Sequence, residues 1–334
     1  MSTSTGMSIE DRLLEDWQRD FPLAERPFEV IANTIGCTER DVLGGVQALQ
    51  RSGSISRVGG VVKPNTLGAS TLAAMAVPDL QINDVAERLT REPGINHVYL
   101  RENDWNLWFV VTGPDRAYIE GVLALIQQST GNRVLDLRLE RPFHIDLGFK
   151  LIESNRPARH DILRASVHLN YCAIAGDREL VQILTQGLPV VPEPFKAVAQ
   201  RLGRTEGDVI ARLRSLTEIG VVPRIGVIVR HRALGWRSNA MVVWDVPENE
   251  IERAGMALAA MPGINLCYRR TRYKEAWPFN LYCMVHAKSR DDAIAVFEHA
   301  TVAADLSEAP RKVLFSLRCY KQTGAMLARP KEAA

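Results

Sequence analysis

The chain carries the same motifs twice, in the same order, over residues 11–150 and 177–324. Matched residues such as Phe28 and Phe195, or Gly36 and Gly203, keep one constant offset of 167 positions. Pro-Gly-Ile-Asn recurs further on, at residues 93–96 and 262–265. Solenoid repeats have periods of roughly 20–50 residues, far shorter than this one. The repeat therefore indicates two homologous modules fused in one chain, a covalent pseudo-dimer whose halves are able to diverge.

Composition bounds the class of protein. A chain of 334 residues with 46% hydrophobic and 24% charged residues is typical of a globular protein with several domains. Its five cysteines form no Cys-x-x-Cys pair, so we expect reduced thiols and no zinc or disulfide-exchange motif. The polar start and the lack of a long apolar run predict a cytoplasmic protein without a membrane span. A net charge of +2 does not indicate a nucleic-acid partner.

The first part of each copy has the pattern of a winged helix-turn-helix domain. Apolar residues at helical spacing predict helices over residues 9–20, 28–34 and 39–52, the last beginning after the capping residue Thr38. Residues 55–62 then alternate around Gly59-Gly60 and predict a β-hairpin. The same order recurs in the second copy. We expect these domains over residues 9–68 and 177–235.

The second part of each copy predicts a ferredoxin-like domain. Strand and helix patterns follow one another as β-α-β-β-α-β, with strands expected over residues 95–101, 107–112 and 134–145. These domains are expected over residues 69–150 and 236–324, and residues 151–176 are expected to be a linker. The predicted fold class is therefore α+β, a tandem duplication of a winged helix-turn-helix followed by a ferredoxin-like domain.

Charge at the reader helices argues against specific DNA binding. Glu39 and Asp41 stand at the start of the first reader helix, where they would face phosphates unfavourably. In the second copy the reader helix opens with Arg204 and later offers Arg212 and Arg214, which together make a modest basic face. A solvated helix surface explains those arginines equally well. We expect the helix-turn-helix domains to serve as scaffold, since a fold does not dictate a function.

Two histidines distinguish the copies. His97 follows Gly-Ile-Asn in the first copy, where the second has Leu266. His144 lies on the last predicted strand, and aligning Pro142-Phe143 on Leu314-Phe315 places Ser316 opposite it. Loss of both histidines from one copy suggests one active and one supporting face. The alternative is that both are hydrogen-bonded strand residues without a chemical role.

Two phrases connect the chain with a known family. They are His97-Val-Tyr-Leu-Arg with Asn106-Leu-Trp-Phe, and Cys267-Tyr-Arg-Arg-Thr with Trp277-Pro-Phe-Asn-Leu-Tyr-Cys-Met-Val-His286. Both phrases resemble the paired subunits of siroheme decarboxylases, a branch of the Lrp/AsnC-like proteins, here fused as in the NirDL-type members. The resemblance implies a carboxy-lyase that removes carbon dioxide from the C12 and C18 acetate groups of siroheme. The product would be 12,18-didecarboxysiroheme, a precursor of d-type heme or of ordinary heme.

The resemblance implies a substrate pocket with an apolar slot and several cations. Siroheme is a flat macrocycle with many carboxylates, which arginine binds in a bidentate manner. His97 and His144 are the expected catalytic residues, acting as general acids. The expected substrate-binding residues are Tyr99, Arg101, Asn106, Trp108, Arg141, Tyr268, Arg269, Arg270 and Arg272. No metal site and no cofactor are expected, because the iron belongs to the substrate.

Two other functions compete with a decarboxylase. One is a transcription regulator of the Lrp/AsnC type that senses a small ligand, and the other is a non-catalytic tetrapyrrole carrier or heme sensor. Expected partners are siroheme, the other half of the pseudo-dimer, further copies of the chain, and separate decarboxylase subunits. Specific DNA binding and membrane association are not expected.

Overall fold

The computed structural model describes residues 7–145 and 176–328, which form two compact units. The helix-turn-helix unit contains residues 7–67 and 176–234, and the sheet unit contains residues 68–145 and 235–328. Each unit therefore combines corresponding parts of both copies. The linker expected over residues 151–176 lies almost wholly outside the described residues.

Corresponding elements follow one another in the two copies. The first copy has α1 (Ile9–Asp16), α2 (Pro27–Ile35), α3 (Glu39–Arg51), β1 (Ile55–Val61), β2 (Ala69–Met75), α4 (Ile82–Arg91), β3 (Ile95–Arg101), β4 (Leu107–Gly113), α5 (Arg116–Thr130), β5 (Val134–Leu137) and β6 (Leu139–Ile145). The second has α6 (Asp177–Gln186), α7 (Pro194–Leu202), α8 (Glu206–Glu218), β7 (Arg224–Val229), β8 (Ser238–Trp244), α9 (Ile251–Ala259), β9 (Ile264–Arg270), β10 (Leu281–Ala287), α10 (Arg290–Ala303) and β11 (Arg311–Gln322).

Local signals set the ends of the helices. The helix α3 begins after Thr38, whose hydroxyl accepts a hydrogen bond from the Asp41 amide, while the Asp41 carboxylate accepts one from the Thr38 amide. Helix α2 begins at Pro27 and stops at Gly36, which adopts a left-handed conformation with φ 84°. In the second copy α7 begins at Pro194 and stops at the left-handed Gly203, and the Thr205 hydroxyl accepts from the Asp208 amide at the start of α8. The predicted three-helix order is therefore confirmed in both copies.

The predicted hairpins are wrong. Each copy contributes a single strand, and β1 pairs antiparallel with β7 of the other copy, from Ile55 opposite Val229 to Val61 opposite Arg224. Gly59 and Gly60 are not a turn: a side chain at either position would collide with Leu184 at the end of α6. A Gly-Gly pair suits a close approach as well as a turn, so the sequence pattern did not distinguish the two.

Each copy builds the expected ferredoxin-like sheet. Strand order is β5-β2-β4-β3 in the first copy and β11-β8-β10-β9 in the second. Both orders place the fourth strand beside the first and the second strand at the edge. Helices cover one face of each half, where Ile95, Val98 and Phe109 belong to the first helix-side core and Cys267 to the second.

The last strand of each copy continues into the other copy. The first part of β11 pairs with β8, and its second part pairs with β3. In the first copy the single strand expected over residues 134–145 is interrupted at Arg138, so that β5 pairs with β2 and β6 pairs with β9. Each copy thus covers the exposed edge of the other, which removes two unpaired strand edges.

The register of the exchanged strands shows which residues of the second copy correspond to His97 and His144. Gln322 lies opposite His97, and Ile145 lies opposite Leu266, so Leu266 does occupy the position of His97. His144 lies opposite Cys267 and corresponds to Lys321, which lies opposite Val98. The prediction that Ser316 replaces His144 is wrong by five residues, because the short Pro-Phe and Leu-Phe matches did not fix the strand register.

The face of the sheets away from the helices, called the inner face, has its own core. Trp108 of the first copy and Trp277 of the second meet there, with ring centroids 5.2 Å apart. Leu137, Met241 and Tyr282 belong to the same buried cluster. Among the described residues, no helix is both long and apolar enough to cross a membrane.

Candidate functional site

Three alternate residues of β3 project onto the inner face. Tyr99 lies opposite Trp108, which belongs to the inner core, whereas Val98 belongs to the helix-side core. Successive side chains of a strand point to opposite faces, so His97 and Arg101 share the face of Tyr99. The sequence therefore places a histidine, a tyrosine and an arginine in one row.

The exchanged strand β11 adds three polar residues beside that row. Gln322 lies opposite His97, Cys319 opposite Tyr99 and Ser316 opposite Arg101. Residues directly opposite one another in an antiparallel pair project to the same face. We call these six residues the polar stripe: His97, Tyr99, Arg101, Ser316, Cys319 and Gln322.

The polar stripe has a closed end and an open end. Arg101 is only 5% exposed, and its Nη1 atom donates to the carbonyl oxygen of Leu314 at 3.0 Å. Its guanidinium carbon lies 5.4 Å from the centroid of the Tyr99 ring, and that ring is stacked against His97 at 6.3 Å and 20°. Gln322 at the other end is exposed. A buried cation at the closed end suits an anionic ligand.

The corresponding residues of the other strand pair form a largely apolar row. Leu266, Tyr268 and Arg270 of β9 lie opposite Ile145, Pro142 and Leu139 of β6, and we call these six the apolar stripe. Its arginine matches Arg101 closely, since the Arg270 Nη1 atom donates to the carbonyl oxygen of Leu137 at 2.9 Å. The two stripes therefore share a tyrosine and an arginine and differ elsewhere.

Burial shifts the ionisation of the apolar stripe. Desolvation raises the pKa of Tyr268 to about 12, which the nearby Arg270 charge only partly opposes. Desolvation also lowers the pKa of Arg270, whose guanidinium lies 5.0 Å from the Tyr268 ring centroid. Tyr268 is thus a neutral phenol near neutral pH and cannot supply a negative charge there.

The structure does not bring His97 and His144 together. His144 lies opposite Cys267, whose thiol donates to the carbonyl oxygen of Gly255 on α9, so the register places His144 on the helix-covered face. His97 lies on the inner face of β3, in the other strand pair. Strand exchange therefore leaves the two histidines in different strand pairs and on different faces.

Three arginines expected to bind substrate are held by carboxylates. Arg141, Arg269 and Arg272 each make ion pairs with one or two acidic side chains. The pairs are Arg141 with Glu252 at 2.6 Å, Arg269 with Glu140 at 2.6 Å and Glu248 at 2.8 Å, and Arg272 with Asp245 at 2.5 Å and Glu248 at 3.2 Å. A substrate carboxylate would have to displace these partners. Arg101 and Arg270 instead donate to main-chain carbonyl oxygens, and only Arg101 shares its row with a histidine, so the geometry favours Arg101 as the candidate carboxylate ligand.

Family models match both parts of each copy. The AsnC-like ligand binding domain matches residues 66–144 and 233–321, and the siroheme decarboxylase NirDL-like HTH domain matches residues 10–55 and 177–222. The chain is 46% identical to the siroheme decarboxylase NirDL subunit of Paracoccus denitrificans over 331 residues, which covers 96% of this chain and 99% of that protein. The chain belongs to the siroheme decarboxylase NirDL family.

A solved structure and a single-subunit relative are also similar to this NirDL-family chain. A crystal structure of the siroheme decarboxylase NirDL, in complex with an iron-uroporphyrin III analogue, matches with a TM-score of 0.68 and 28% identity over 95% of this chain and 94% of that one. The NirD subunit of Stutzerimonas stutzeri is 45% identical over 144 residues, which covers 43% of this chain and 95% of that protein. A single-subunit relative thus corresponds to about one half of the fused chain.

The Asn106 side chain of the NirDL-family chain is hydrogen-bonded to the main chain of Val77. The Asn106 side chain accepts from the Val77 amide at 3.0 Å and donates to the Val77 carbonyl at 2.8 Å. Asn280 makes the same two bonds with Val246, at 2.9 and 3.0 Å. The repeated Asn-Leu-aromatic motif therefore joins two chain segments in each copy, and a substrate contact by Asn106 stays a prediction.

The indole of Trp108 also has partners within the protein. Its Nε1 atom donates to the carbonyl oxygen of Trp105 at 2.6 Å, and its ring is buried against Trp277. The sequence predicts Trp108 as a substrate-binding residue. Its inward position on β4 makes it part of the packed inner core, directly opposite Tyr99 of β3.

Ser316, Cys319 and Gln322 were missed by the sequence reasoning. No sequence signal connects them with His97, because they lie more than 200 positions away and meet it only through the crossing of β11. The three residues are spaced three apart on the last strand, a spacing that shares one face only because of two irregularities in the β3–β11 register. That spacing does not by itself say which copy the strand will join.

Two arginines of the second reader helix have partners within the protein. Arg212 of α8 binds both carboxylate oxygens of Asp177, at 2.8 and 2.7 Å, and Arg214 donates to the carbonyl oxygen of Leu23 at 3.2 Å. Two of the three arginines of the predicted basic face thus have partners within the helix-turn-helix unit. Within residues 7–145 and 176–328, no group of three or more His, Cys, Asp or Glu side chains is placed to hold a metal ion.

Proposed function

We propose that this chain is a siroheme decarboxylase that removes carbon dioxide from the C12 and C18 acetate groups and releases 12,18-didecarboxysiroheme. The observation that carries the proposal is the polar stripe. It places an imidazole, an aromatic ring and a buried guanidinium in one row of a NirDL-family chain. Each of these groups has a use in the reaction.

Substrate binding would use the closed end of the stripe. Arg101 is buried beside the Tyr99 ring, and a carboxylate reaching it would gain a charge-assisted hydrogen bond away from bulk water. The aromatic face of Tyr99 suits the flat edge of a macrocycle. The acetate that binds at Arg101 is held, while a neighbouring acetate comes to lie at the open end near His97.

The chemical step breaks one carbon–carbon bond. The acetate carboxylate leaves as carbon dioxide, and the bonding electron pair remains on the methylene carbon, delocalised into the macrocycle. The His97 imidazolium then donates its proton to that carbon, which becomes a methyl group, and the neutral imidazole regains a proton from water. The sum of the step is one carboxylate and one proton converted into one methyl group and carbon dioxide. This chemistry needs no cofactor beyond the iron macrocycle that is itself the substrate.

We further propose that His97 serves both decarboxylations. Because His144 lies on the helix-covered face, it is poorly placed to reach a substrate on the polar stripe. A single acidic group then requires siroheme to turn or rebind between the two steps. A monodecarboxylated intermediate should therefore accumulate briefly.

The fused chain is proposed to act without a separate decarboxylase subunit. Both last strands are exchanged within one chain, so the covalent pseudo-dimer already supplies β11 to β3. The helix-turn-helix unit is proposed to be scaffold rather than a DNA reader, since Arg212 and Arg214 are both engaged.

Anaerobic incubation with siroheme, followed by mass spectrometry, tests the proposed function. The expected product is lighter than siroheme by two carbon dioxide units, with a transient species lighter by one. An absorbance titration run in parallel reports binding. Bound siroheme of unchanged mass would identify a carrier or sensor instead, and absence of any spectral change would favour the regulator.

A further inference from the structure

The two stripes differ most along their exchanged strands. On β3 and β9 the tyrosine and the arginine are the same, and only His97 and Leu266 differ in polarity. On the exchanged strands all three positions differ. The pairs are Gln322 with Ile145, Cys319 with Pro142, and Ser316 with Leu139. Every difference makes the His97 stripe the more polar one.

The fold does not demand this polarity. Ile145 and Leu139 occupy the same register positions in the other half of the sheet unit, so apolar side chains satisfy this architecture. The Ser316 hydroxyl oxygen is buried and has no hydrogen-bond partner among the described residues. A buried hydroxyl without a partner costs about 1–3 kcal/mol. Such a group, opposite the buried cation Arg101, is accounted for by a ligand that accepts its hydrogen bond.

Gln322 is the residue across from the imidazole. Side chains directly opposite one another on antiparallel strands have Cβ atoms roughly 4.5–5.5 Å apart, within reach of an amide-to-imidazole hydrogen bond. Lys321, the charged neighbour of Gln322 on β11, does not point at the imidazole. Its ammonium donates to the carbonyl oxygens of Thr90 and Glu92. A neutral amide at this position is able to hold the imidazole ring without changing the charge of the site.

We propose that β11 of the second copy completes the His97 site, with Gln322 as a positioning residue for the imidazole and Ser316 as a second ligand for the carboxylate held by Arg101. The proposal rests on the proposed decarboxylase function. It explains why the second copy is needed at a site whose histidine belongs to the first. The second copy would supply polar groups through its exchanged strand, and the first would supply only apolar groups in return.

Two substitutions at Gln322 test the positioning role. Gln322→Leu removes the amide, and we expect kcat to fall about tenfold, the size of one hydrogen bond, with siroheme affinity unchanged. Gln322→Glu keeps an acceptor and adds a negative charge beside the imidazole. That charge should raise the pKa of His97 and move the corresponding limb of the pH–kcat profile to higher pH. Ile145→Ala, at the equivalent position, is the matched control and should change neither quantity.

A double-mutant cycle separates positioning from packing. If Gln322 acts through the imidazole, Gln322→Leu should cause no further loss of turnover in a chain that already carries His97→Ala. Independent losses, or wild-type kcat and pH profile in both Gln322 variants, would overturn the positioning role. Gln322 is exposed, so circular dichroism should show folded variants. A wild-type chain that binds siroheme but never decarboxylates it would instead refute the proposed function itself.

Ser316→Ala tests the carboxylate ligand. We expect KM for siroheme to rise about three- to tenfold with kcat nearly unchanged, since one neutral donor to a carboxylate is lost. Leu139→Ala, at the equivalent position of the apolar stripe, controls for packing and should leave KM unchanged. An unchanged KM in Ser316→Ala, or an equal rise in Leu139→Ala, would remove Ser316 from the site.

Discussion

The polar stripe on β3 and β11 and the apolar stripe on β9 and β6 have the same register, yet only the polar stripe contains a histidine. Arg101 and Arg270 donate to equivalent carbonyl oxygens, of Leu314 and Leu137. Those shared contacts stabilise the crossing of the exchanged strands in both halves. The residues that differ, His97 above all, are the ones that the strand crossing does not require. Comparison of the two copies thus distinguishes residues that the shared fold requires, such as the two arginines, from residues present in one stripe only, such as His97.

The largest expected effect is at His97. His97→Ala removes the proposed proton donor, and we expect turnover to fall by roughly 10²–10⁴-fold while siroheme still binds. Single-turnover mass spectrometry with an absorbance titration measures both quantities. Leu266→Ala at the equivalent position should change turnover little, and equal sensitivity at Leu266 would mean that the apolar stripe is not silent.

His144→Ala sharpens the same comparison. Because the register places His144 opposite Cys267 on the helix-covered face, we expect this variant to retain turnover within a few-fold of wild type. The assay is the one used for His97→Ala, at saturating siroheme. A loss as large as that of His97→Ala would show that a second histidine is used, and that substrate also reaches the other strand pair.

The next effect is at the two arginines. Arg101→Ala should weaken siroheme binding roughly 10- to 100-fold, because a charge-assisted hydrogen bond contributes about 1.5–3 kcal/mol. Arg270→Ala should leave the affinity nearly unchanged. Both variants should lower the free energy of unfolding, since each leaves a strand-crossing carbonyl without its donor. Denaturant unfolding and absorbance titration separate these effects, and equal losses of affinity would indicate that both stripes bind siroheme.

A smaller and symmetric effect is expected at the two asparagines. Asn106→Ala and Asn280→Ala each remove two side-chain hydrogen bonds to one main-chain segment. Each should lower the free energy of unfolding by about 1–3 kcal/mol. At temperatures where both variants are folded, KM and kcat should be those of wild type. A raised KM in Asn106→Ala alone would return that residue to the substrate site.

The smallest effect is expected for DNA. The helix-turn-helix unit should bind a duplex of arbitrary sequence weakly, and the binding should fade as salt rises. Fluorescence anisotropy at two salt concentrations measures this. A sequence-specific footprint at physiological salt would mean that the two copies diverged for regulation as well as for catalysis.

Elements set by local sequence could be predicted. The strand β3 was expected over residues 95–101 and is observed as Ile95–Arg101, because its apolar alternation and the preceding Pro-Gly turn define it locally. Helix starts at Thr38 and Pro27 follow from capping chemistry. Hairpins were predicted wrongly at Gly59-Gly60, where the glycines accommodate Leu184 of the other copy, which is distant in sequence.

The sequence by itself determined the duplication, the family, the ferredoxin-like strand order and the substitution of Leu266 for His97. Only the tertiary structure decided that β11 crosses to β3, that His144 corresponds to Lys321, and that Gln322 faces His97. The physical reason is that strand register between distant segments depends on which edges pair. A short motif match does not fix that register, and a shift of a few residues changes both the face and the neighbours of a side chain.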